Sequence, residues 1–298
     1  MAAVIGWVSP KGGTGKSTLL VNVAVVLAKL QQRSGVIGRY VVVVDADMRN
    51  ATATNYLFAL LPTNIKTLYD TMNSGVVNVL YRPTKYRVFA SLPLAAVPAR
   101  HGGQNPDLLR DMTSDEAAVF FGRLFAALKR VSSIVLVDVP AITEPGVSRG
   151  FYGGLLRQLD GMVFVIEPAV TTMVGAQTIY EDALRKAKAL AVVMNKYDPK
   201  VPNERISGVP FIQLAQAVFR CGTRNPGVPF FVVQKDPAWE MCFKQALIPV
   251  LHKQTATGPA SLSCVRIAKY LFERFIGGEG VWSSQARARL ERSVLTNS

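Results

Sequence analysis

Short apolar segments alternate with amphipathic ones along most of the chain. Ala3–Val8 is apolar, and after the glycine-rich stretch that follows it, apolar residues recur at the spacing of one helix face. These residues are Leu19, Leu20, Val23, Leu27 and Leu30. Tyr40–Val44 is then a continuous apolar run rich in valine. The pattern predicts a strand, a helix and a second strand, in that order.

The same alternation continues to residue 276. Apolar runs predict further strands, and helical periodicity predicts further helices. The predicted strands are Arg87–Leu92 (the weakest), Ile134–Val137, Met162–Ile166, Leu190–Met194 and Val228–Val233. The predicted helices are Thr113–Arg130, with Ser114 as its cap, Met173–Lys188 and Ser261–Ile276, which the pair Gly277-Gly278 would end.

Strands that are apolar on both faces belong in a parallel sheet covered by helices. We therefore predict an α/β fold with one doubly wound, mostly parallel sheet and helices on both faces, in three layers. Residues 1–276 are expected to form a single domain. Residues 277–298 are expected to form a tail that has the spacing of a short amphipathic helix. Ligands of such sheets bind at the carboxyl ends of the strands, where the motifs below lie.

A glycine-rich loop, Lys11–Thr18, connects the first predicted strand to the first predicted helix. Its glycines allow a tight turn that directs backbone N–H groups at an anion bound at the helix N-terminus. Lys16 has the position to reach the β- and γ-phosphates of a nucleotide, and the Ser17 hydroxyl the position to coordinate Mg²⁺. The predicted nucleotide-binding residues here are Gly12, Gly13, Thr14, Gly15, Lys16, Ser17 and Thr18.

The loop departs from the common pattern G-x-x-x-x-G-K-S/T, because Pro10 stands at the first glycine position and Lys11 adds a second lysine. Lys11–Ser17 resembles the K-G-G-x-G-K-S/T signature of the deviant Walker-A ATPases, which include the ParA and MinD proteins. The resemblance implies a P-loop NTPase fold, ATP and ADP as ligands, and homodimers that close on ATP and reopen on hydrolysis. It also implies that Lys11 reaches across the dimer to the partner's phosphates, as an arginine finger does.

Two of the predicted strands end in aspartate. Many P-loop proteins hold Mg²⁺ or its water shell with such a residue, so we predict that role for Asp138, together with Ser17 and Asp47. Asp45, taken alone, is better explained as a strand-end turn residue. Val44–Thr52 resembles the family's first switch, which implies that Asp47 positions or activates the attacking water. No residue here is an obvious strong base, so hydrolysis is expected to be slow.

Two further segments resemble motifs of the family. Leu136–Ala141 resembles the second switch, D-x-P-P, with alanine at the second proline position. Val192–Tyr197 resembles the V-x-N-R/K-Y segment whose asparagine hydrogen-bonds adenine. The resemblance assigns that role to Asn195, although an asparagine at a strand end is also common in turns. Asp236 and Pro237 occupy the place of the family's P-x-D loop beside the base.

Net charge is the unusual feature of the composition. It is +14, from 34 Lys and Arg against 20 Asp and Glu, and the 13 basic and 6 acidic residues from Lys200 onward account for half of the excess. Such a field attracts polyanions, either nucleic acid or an anionic membrane face, although basic residues also serve solubility alone. The sequence shows no apolar run long enough for a membrane span and no signal peptide, which predicts a cytoplasmic protein.

Two hypotheses differ in the surface to which the dimer binds, either DNA or a membrane. The first is a ParA-like ATPase that binds DNA non-specifically, associates with the nucleoid, and partitions a plasmid or chromosome with a ParB-like activating partner. Basic residues on or near predicted helices favour it, although each alone is typical of a solvated surface: Arg185, Lys186, Lys188, Arg220, Arg224, Arg266, Lys269 and Arg274.

The second hypothesis is a MinD-like ATPase that positions cellular machinery at a membrane. In the tail, Trp282, Ala286, Leu290 and Val294 lie four residues apart, and this stripe fits a peripheral membrane contact, a partner or the protein's own body. A metabolic role, as in the iron–sulfur and metal-targeting relatives, is less favoured, because the three cysteines are scattered and lack ligand spacing.

Overall fold

The computed structural model describes residues 1–74, 79–105, 111–141, 148–199, 205–206, 209–221 and 227–277. The helices described are α1 (Lys16–Arg33), α2 (Thr52–Leu57), α3 (Leu68–Ser74), α4 (Ser114–Val131), α5 (Arg149–Arg157), α6 (Val170–Arg185), α7 (Phe211–Val218), α8 (Pro237–Lys244) and α9 (Pro259–Phe275). The strands described are β1 (Ala3–Val8), β2 (Tyr40–Asp45), β3 (Leu94–Val97), β4 (Ser132–Asp138), β5 (Gly161–Ile166), β6 (Ala189–Tyr197), β7 (Arg205–Ile206), β8 (Val209–Pro210) and β9 (Phe230–Gln234).

Seven of these strands form a parallel sheet in the order β3-β2-β4-β1-β5-β6-β9, and β7 and β8 form a separate antiparallel pair. Helices α1, α2, α8 and α9 contribute to the apolar core on one face of the sheet, and α4, α5, α6 and α7 to the core on the other. The predicted doubly wound parallel sheet is confirmed. The chain leaves β1 in one direction and returns to β5 on the other side, so the loop after β1 lies at the topological switch point.

Helix α1 is enclosed rather than amphipathic. Fifteen of its eighteen residues are buried, because α9 and α2 pack on it in addition to the sheet. The prediction of one apolar face was therefore too narrow. Val21 and Val25, which lie off that face, are buried as well.

Two local predictions were wrong. Arg87–Ala90 forms a 3₁₀ turn rather than a strand, and the strand that pairs with β2 is the following segment, β3. Proline at position 93 breaks the apolar run between the two, and its carbonyl accepts from Val41 N. The cap of α4 is Thr113, not Ser114, because only Thr113 stands three residues before Glu116 and forms a reciprocal capping box with it.

Some predictions concern residues that the structure does not describe. The tail from residue 278 onward, with its proposed amphipathic stripe, lies outside the described ranges, and so does Arg224. Among the described residues, no helix combines the length and the apolar composition that crossing a bilayer requires.

Candidate functional site

The glycine-rich loop Lys11–Thr18, or phosphate loop, bends back at two glycines. Gly13 and Gly15 both have φ of +80°, a left-handed conformation that side chains other than glycine adopt at a cost. Gly15 is the N-cap of α1, and no side chain of the described residues caps this terminus. The first backbone N–H groups of an eighteen-residue helix are therefore left to an incoming anion.

The end of β6 holds this loop from one side. Asn195 Nδ2 donates to Thr14 O at 2.8 Å, and Lys196 Nζ donates to Gly13 O at 2.5 Å. A β-carbon at Gly15 would lie 2.3 Å from Asn195 Nδ2, so only glycine fits there. With two successive carbonyls turned toward β6, the loop keeps its N–H groups free for a ligand.

A buried ion pair forms the floor of the site. Lys16 Nζ donates to Asp138 Oδ1, and Lys16 and Asp138 have 5% and 0% of their surface exposed. Burial alone would lower the pKa of Lys16, but Asp138, Asp47 and Asp45 outweigh burial and raise it. Burial raises the pKa of Asp138, with repulsion from Asp47 adding to it and Lys16 opposing it. Three carboxylates and one ammonium thus converge where β2 and β4 end.

Asp45 has a mainly structural environment. Its Oδ2 accepts from Thr54 N at 2.8 Å and from Thr54 Oγ1 at 2.7 Å, and its Oδ1 accepts from Asp47 N at 3.2 Å. Burial, followed by repulsion from Asp138 and Asp47, raises the pKa of Asp45 well above its usual range. These contacts tie the loop after β2 to α2, in keeping with the interpretation of Asp45 as a strand-end residue.

Asp47 lies in the cleft and is held by its own loop. Its Oδ1 accepts from Asn50 N at 3.2 Å, its carbonyl accepts from Ala51 N at 2.8 Å, and Ala51 has φ of +47°. Arg100, which sequence patterns did not single out, donates to the carbonyls of Met48 and Arg49. The loop that carries Asp47 is therefore fixed from both sides.

Lys11 forms an ion pair that the sequence did not predict. Its Nζ lies 3.1 Å from Glu167 Oε2, while the other carboxylate oxygen of Glu167 lies 2.7 Å from Lys196 Nζ. Burial would raise the pKa of Glu167, but its hydrogen bonds to Lys196 and Lys11 outweigh that effect and lower it. The one sequence signal was position, because Glu167 directly follows β5 at the carboxyl edge of the sheet.

Lys11, Gly12–Thr18 and Asp47 line one cleft of about 920 Å³, and Asp138 is buried behind this surface in contact with Lys16. The far wall of the cleft comes from the start of α8, where Asp236 is the N-cap and accepts from Ala238 N at 3.0 Å, and Pro237 is the first helical residue. Of the predicted base-pocket residues, Asn195 and Asp236 line the cleft and Pro237 adjoins it. Thr18 also lines it, with its hydroxyl 3.1 Å from Tyr56 Oη. Trp239 and Phe243 of α8, which the sequence analysis missed, add an apolar surface.

The residues present fit a magnesium ion held largely by other ligands. Asp138 Oδ2 is buried and has no hydrogen-bond partner in the described part of the chain. This oxygen can therefore bind a cation or accept a hydrogen bond from a water that the cation holds. Within the described ranges, no group of three or more His, Cys, Asp or Glu side chains could hold a metal. Magnesium commonly binds one or two carboxylates and completes its shell with water and substrate phosphates, so this donor set suits it.

Solved structures with the same fold include cell-division proteins and a putative plasmid partition protein, some of them bound to nucleotides. MinD in the MinC:MinD cell division complex of Aquifex aeolicus superposes with a TM-score of 0.67 and 19% identity over 91% of this chain and 96% of that chain. MinD from Pyrococcus horikoshii, complexed with Mg-ADP, gives 0.65 and 20% over 92% and 97%. A putative plasmid partition protein of Borrelia burgdorferi bound to AMPPNP gives 0.61 and 13% over 93% and 99%.

No protein-family model matches the sequence, and no curated protein is significantly similar to it. The likeness to the solved structures is therefore a likeness of fold. It covers more than nine tenths of both chains in each of these three cases.

Proposed function

We propose that this chain, which has the fold of MinD and the ParA-type ATPases, is an ATP-dependent dimerising ATPase switch that binds DNA non-specifically and acts in plasmid or chromosome partition. The observation that carries the proposal is the uncapped start of α1, with Lys16 beside it and the ends of β2, β4 and β6 around it. Such a site binds phosphates by backbone N–H groups and a lysine.

Nucleotide binding would use the whole cleft. Its volume of about 920 Å³ lies within the range of small-molecule sites. The triphosphate would lie along Gly12–Thr18 and share or displace the contact between Lys16 and Asp138. Asn195 donates its amide N–H to the loop, which would leave its Oδ1 to accept from the amino group of adenine. Asp236 and Pro237 would border the base.

Hydrolysis would depend on Asp47. Its carboxylate is held by Asn50 in the cleft, and there it would orient a water for in-line attack on the γ-phosphate. Magnesium, held by Ser17, Asp138 and Asp47 directly or through water, would neutralise charge on the phosphates. A carboxylate is a weak base at neutral pH, so turnover would be slow until a partner protein improves the geometry. Lys11 would reach the phosphates of the second subunit.

The test of hydrolysis is Asp47→Asn. Asparagine keeps an oxygen for the Asn50 contact but loses the charge that orients the water, so we expect kcat to fall about 100-fold with the KM for ATP little changed. The measurement is steady-state phosphate release with magnesium. Asp70→Asn is the control, because Asp70 is also a loop-holding carboxylate, bonded to Thr67 away from the cleft. Unchanged turnover in Asp47→Asn would rule out this role.

The choice of DNA as the gripped surface rests on charge. The excess of 14 positive charges suits a polyanion, and Arg185 and Lys186 on α6 expose 74% and 59% of their side chains. The second candidate, a MinD-like membrane-associated ATPase, is favoured by the similarity to MinD and by the apolar spacing of residues 282–294. Both candidates share the nucleotide switch.

Co-sedimentation separates the two candidates. The protein is spun with plasmid DNA and, separately, with anionic liposomes, each with ATP, with ADP and across a salt series. ATP-dependent DNA binding that weakens steeply with salt, without liposome binding, is the expected result. Liposome binding that disappears on deletion of residues 279–298 would favour the MinD-like function instead. Binding to neither would direct attention to a protein partner.

A further inference from the structure

Glu167 contacts Lys11, which begins the phosphate loop, and Lys196, which lies against that loop. No sequence motif assigns Glu167 a role. We propose that Glu167 is a positioning residue that holds Lys11 on its own subunit and yields it when two subunits close on ATP. The proposal rests on the dimerising switch proposed above. It adds that each subunit carries an internal competitor for its own signature lysine.

The backbone of Glu167 is held by hydrogen bonds, and its side chain is largely enclosed. Glu167 directly follows β5, and its backbone carbonyl accepts from Ala169 N at 2.7 Å and from Thr172 Oγ1 at 2.8 Å at the start of α6. Its side chain has only 17% of its surface exposed. A carboxylate this enclosed beside a phosphate site would repel a nucleotide if it were unpaired, so its partners matter to binding.

Lys196 is the fixed partner of Glu167. The pairing of β6 with β9 is irregular between Met194 and Tyr197, and Lys196 within it has φ of +59°. A bulge of this kind redirects a side chain, here over the loop, where the ammonium contacts Gly13 O and Glu167 together. Strained backbone persists only where its surroundings enforce it, and it is concentrated at functional sites.

Lys11 is the exchangeable partner. Its side chain is 45% exposed, the same fraction as that of Lys196, but Lys196 also donates to Gly13 O, whereas among the described residues Glu167 is the one carboxylate paired with the Lys11 ammonium. An ion pair with such an exposed member is weak. When Lys11 leaves, Glu167 keeps Lys196 and is not left as a buried unpaired charge. Release of Lys11 therefore costs little, and a triphosphate on a second subunit can compete for it.

The monomer shows whether Glu167 holds Lys11. Without nucleotide, the rate at which an amine-reactive acetylating reagent modifies Lys11 is followed by mass spectrometry. Glu167→Gln is expected to raise that rate about twofold to fivefold, because the ammonium loses its carboxylate. Lys196→Met is expected to slow it, because Glu167 then pairs with Lys11 alone.

The dimer shows whether the contact competes. The monomer–dimer dissociation constant is measured by sedimentation with Mg-AMPPNP. Glu167→Gln is expected to tighten dimerisation about threefold or more, and the gain is expected to vanish in a Lys11→Ala background. Asp182→Asn is the matched control. Asp182 also lies between two cations, Arg185 and Lys186, but at the far end of α6, and its loss should change neither readout.

Each outcome decides the proposal. Unchanged Lys11 labelling in Glu167→Gln overturns it whether or not the protein dimerises. Weaker or unchanged dimerisation, or a gain that persists without Lys11, overturns the competition. If no variant, including the wild type, forms nucleotide-dependent dimers, the proposed switch fails, while the labelling rates still decide whether Glu167 positions Lys11.

Discussion

At the residue scale, the most crowded group of buried charges in the described part of the chain lies around Lys16. Its ammonium is buried against Asp138, and Asp45 and Asp47 add two further carboxylates to the same end of the sheet. One cation among three carboxylates contributes little to stability, since the desolvation of a buried ion pair often costs more free energy than the attraction returns. The arrangement suits a site in which phosphates and a divalent cation complete the balance of charge.

Removing that cation should destabilise the protein in a pH-dependent manner. Lys16→Met leaves Asp138 buried without its partner, which we expect to cost about 3–5 kcal/mol of unfolding free energy at pH 8. A carboxyl group whose folded pKa is raised stabilises at low pH and loses that contribution as pH rises through the folded pKa, so the cost should shrink toward pH 5. Urea unfolding at several pH values measures it.

The double variant Lys16→Met with Asp138→Asn provides the control for this experiment. With the orphaned charge removed, it should recover most of the lost stability, and the penalty that remains should depend little on pH. A Lys16→Met penalty that is equal at pH 5 and pH 8 would contradict the assignment of the cost to Asp138.

Sequence could predict residues that belong to a contiguous motif, and it missed those that act from elsewhere in the chain. The positions of Lys16, Asp138 and Asn195 around one cleft follow from the loop, from the strand ends and from the family resemblance. Glu167 and Arg100 stand in no recognisable pattern. They reach the site only because β5 and the segment after β3 end at the same edge of the sheet.

At the element scale, the closest helix packing in the described structure involves glycine. A β-carbon at Gly154 in α5 would lie 2.5 Å from both Ala117 Cβ and Ser114 O in α4, whereas one at Gly153 would meet only Ser114 Oγ, at 3.2 Å. Backbone cannot move aside as a hydroxyl can. Of these two adjacent glycines, it is therefore Gly154 on which the contact between α4 and α5 depends.

This difference yields a paired prediction. Gly154→Ala should destabilise by about 1–3 kcal/mol despite the better helix propensity of alanine, because it overpacks the helix contact. Gly153→Ala should be neutral or stabilise by up to about 1 kcal/mol, since alanine gains helix propensity there. Thermal and urea unfolding of the two variants tests this. Equal effects would show that propensity, rather than the α4–α5 contact, governs both sites.

The buried strands and the long helices could be predicted from sequence, and the short helices could not. The valine-rich strands β2 and β4 and the helices α4 and α9 carry strong periodicity. Helices α2, α5 and α8 are six to nine residues long, too short for a periodic signal, and their ends depend on tertiary contacts. The four residues Leu94–Val97, too few to give a strand signal of their own, form β3 where β2 offers an edge beside them.

At the scale of the whole molecule, part of the exposed positive charge lies away from the cleft. The cleft, with its own lysines Lys11, Lys16 and Lys196, lies where the strands end, while Arg185 and Lys186 stand at the opposite end of α6. Some of that charge is neutralised locally, because Asp182 contacts both. A polyanion bound through the remaining charge would be held by many weak, salt-sensitive contacts rather than by one site.

The enclosure of α1 would determine how quickly the proposed switch responds to a nucleotide. A helix that is buried on almost every side cannot tilt or slide without disrupting both the sheet and α9, so it behaves as a rigid mount for the phosphate loop. In the proposed switch, the change between triphosphate and diphosphate would then be transmitted by loops such as residues 46–51. Loop motions occur over about nanoseconds to microseconds, far faster than the slow hydrolysis proposed for this chain. The protein would therefore act as a timer, in which chemistry sets the interval and the change of shape follows almost at once.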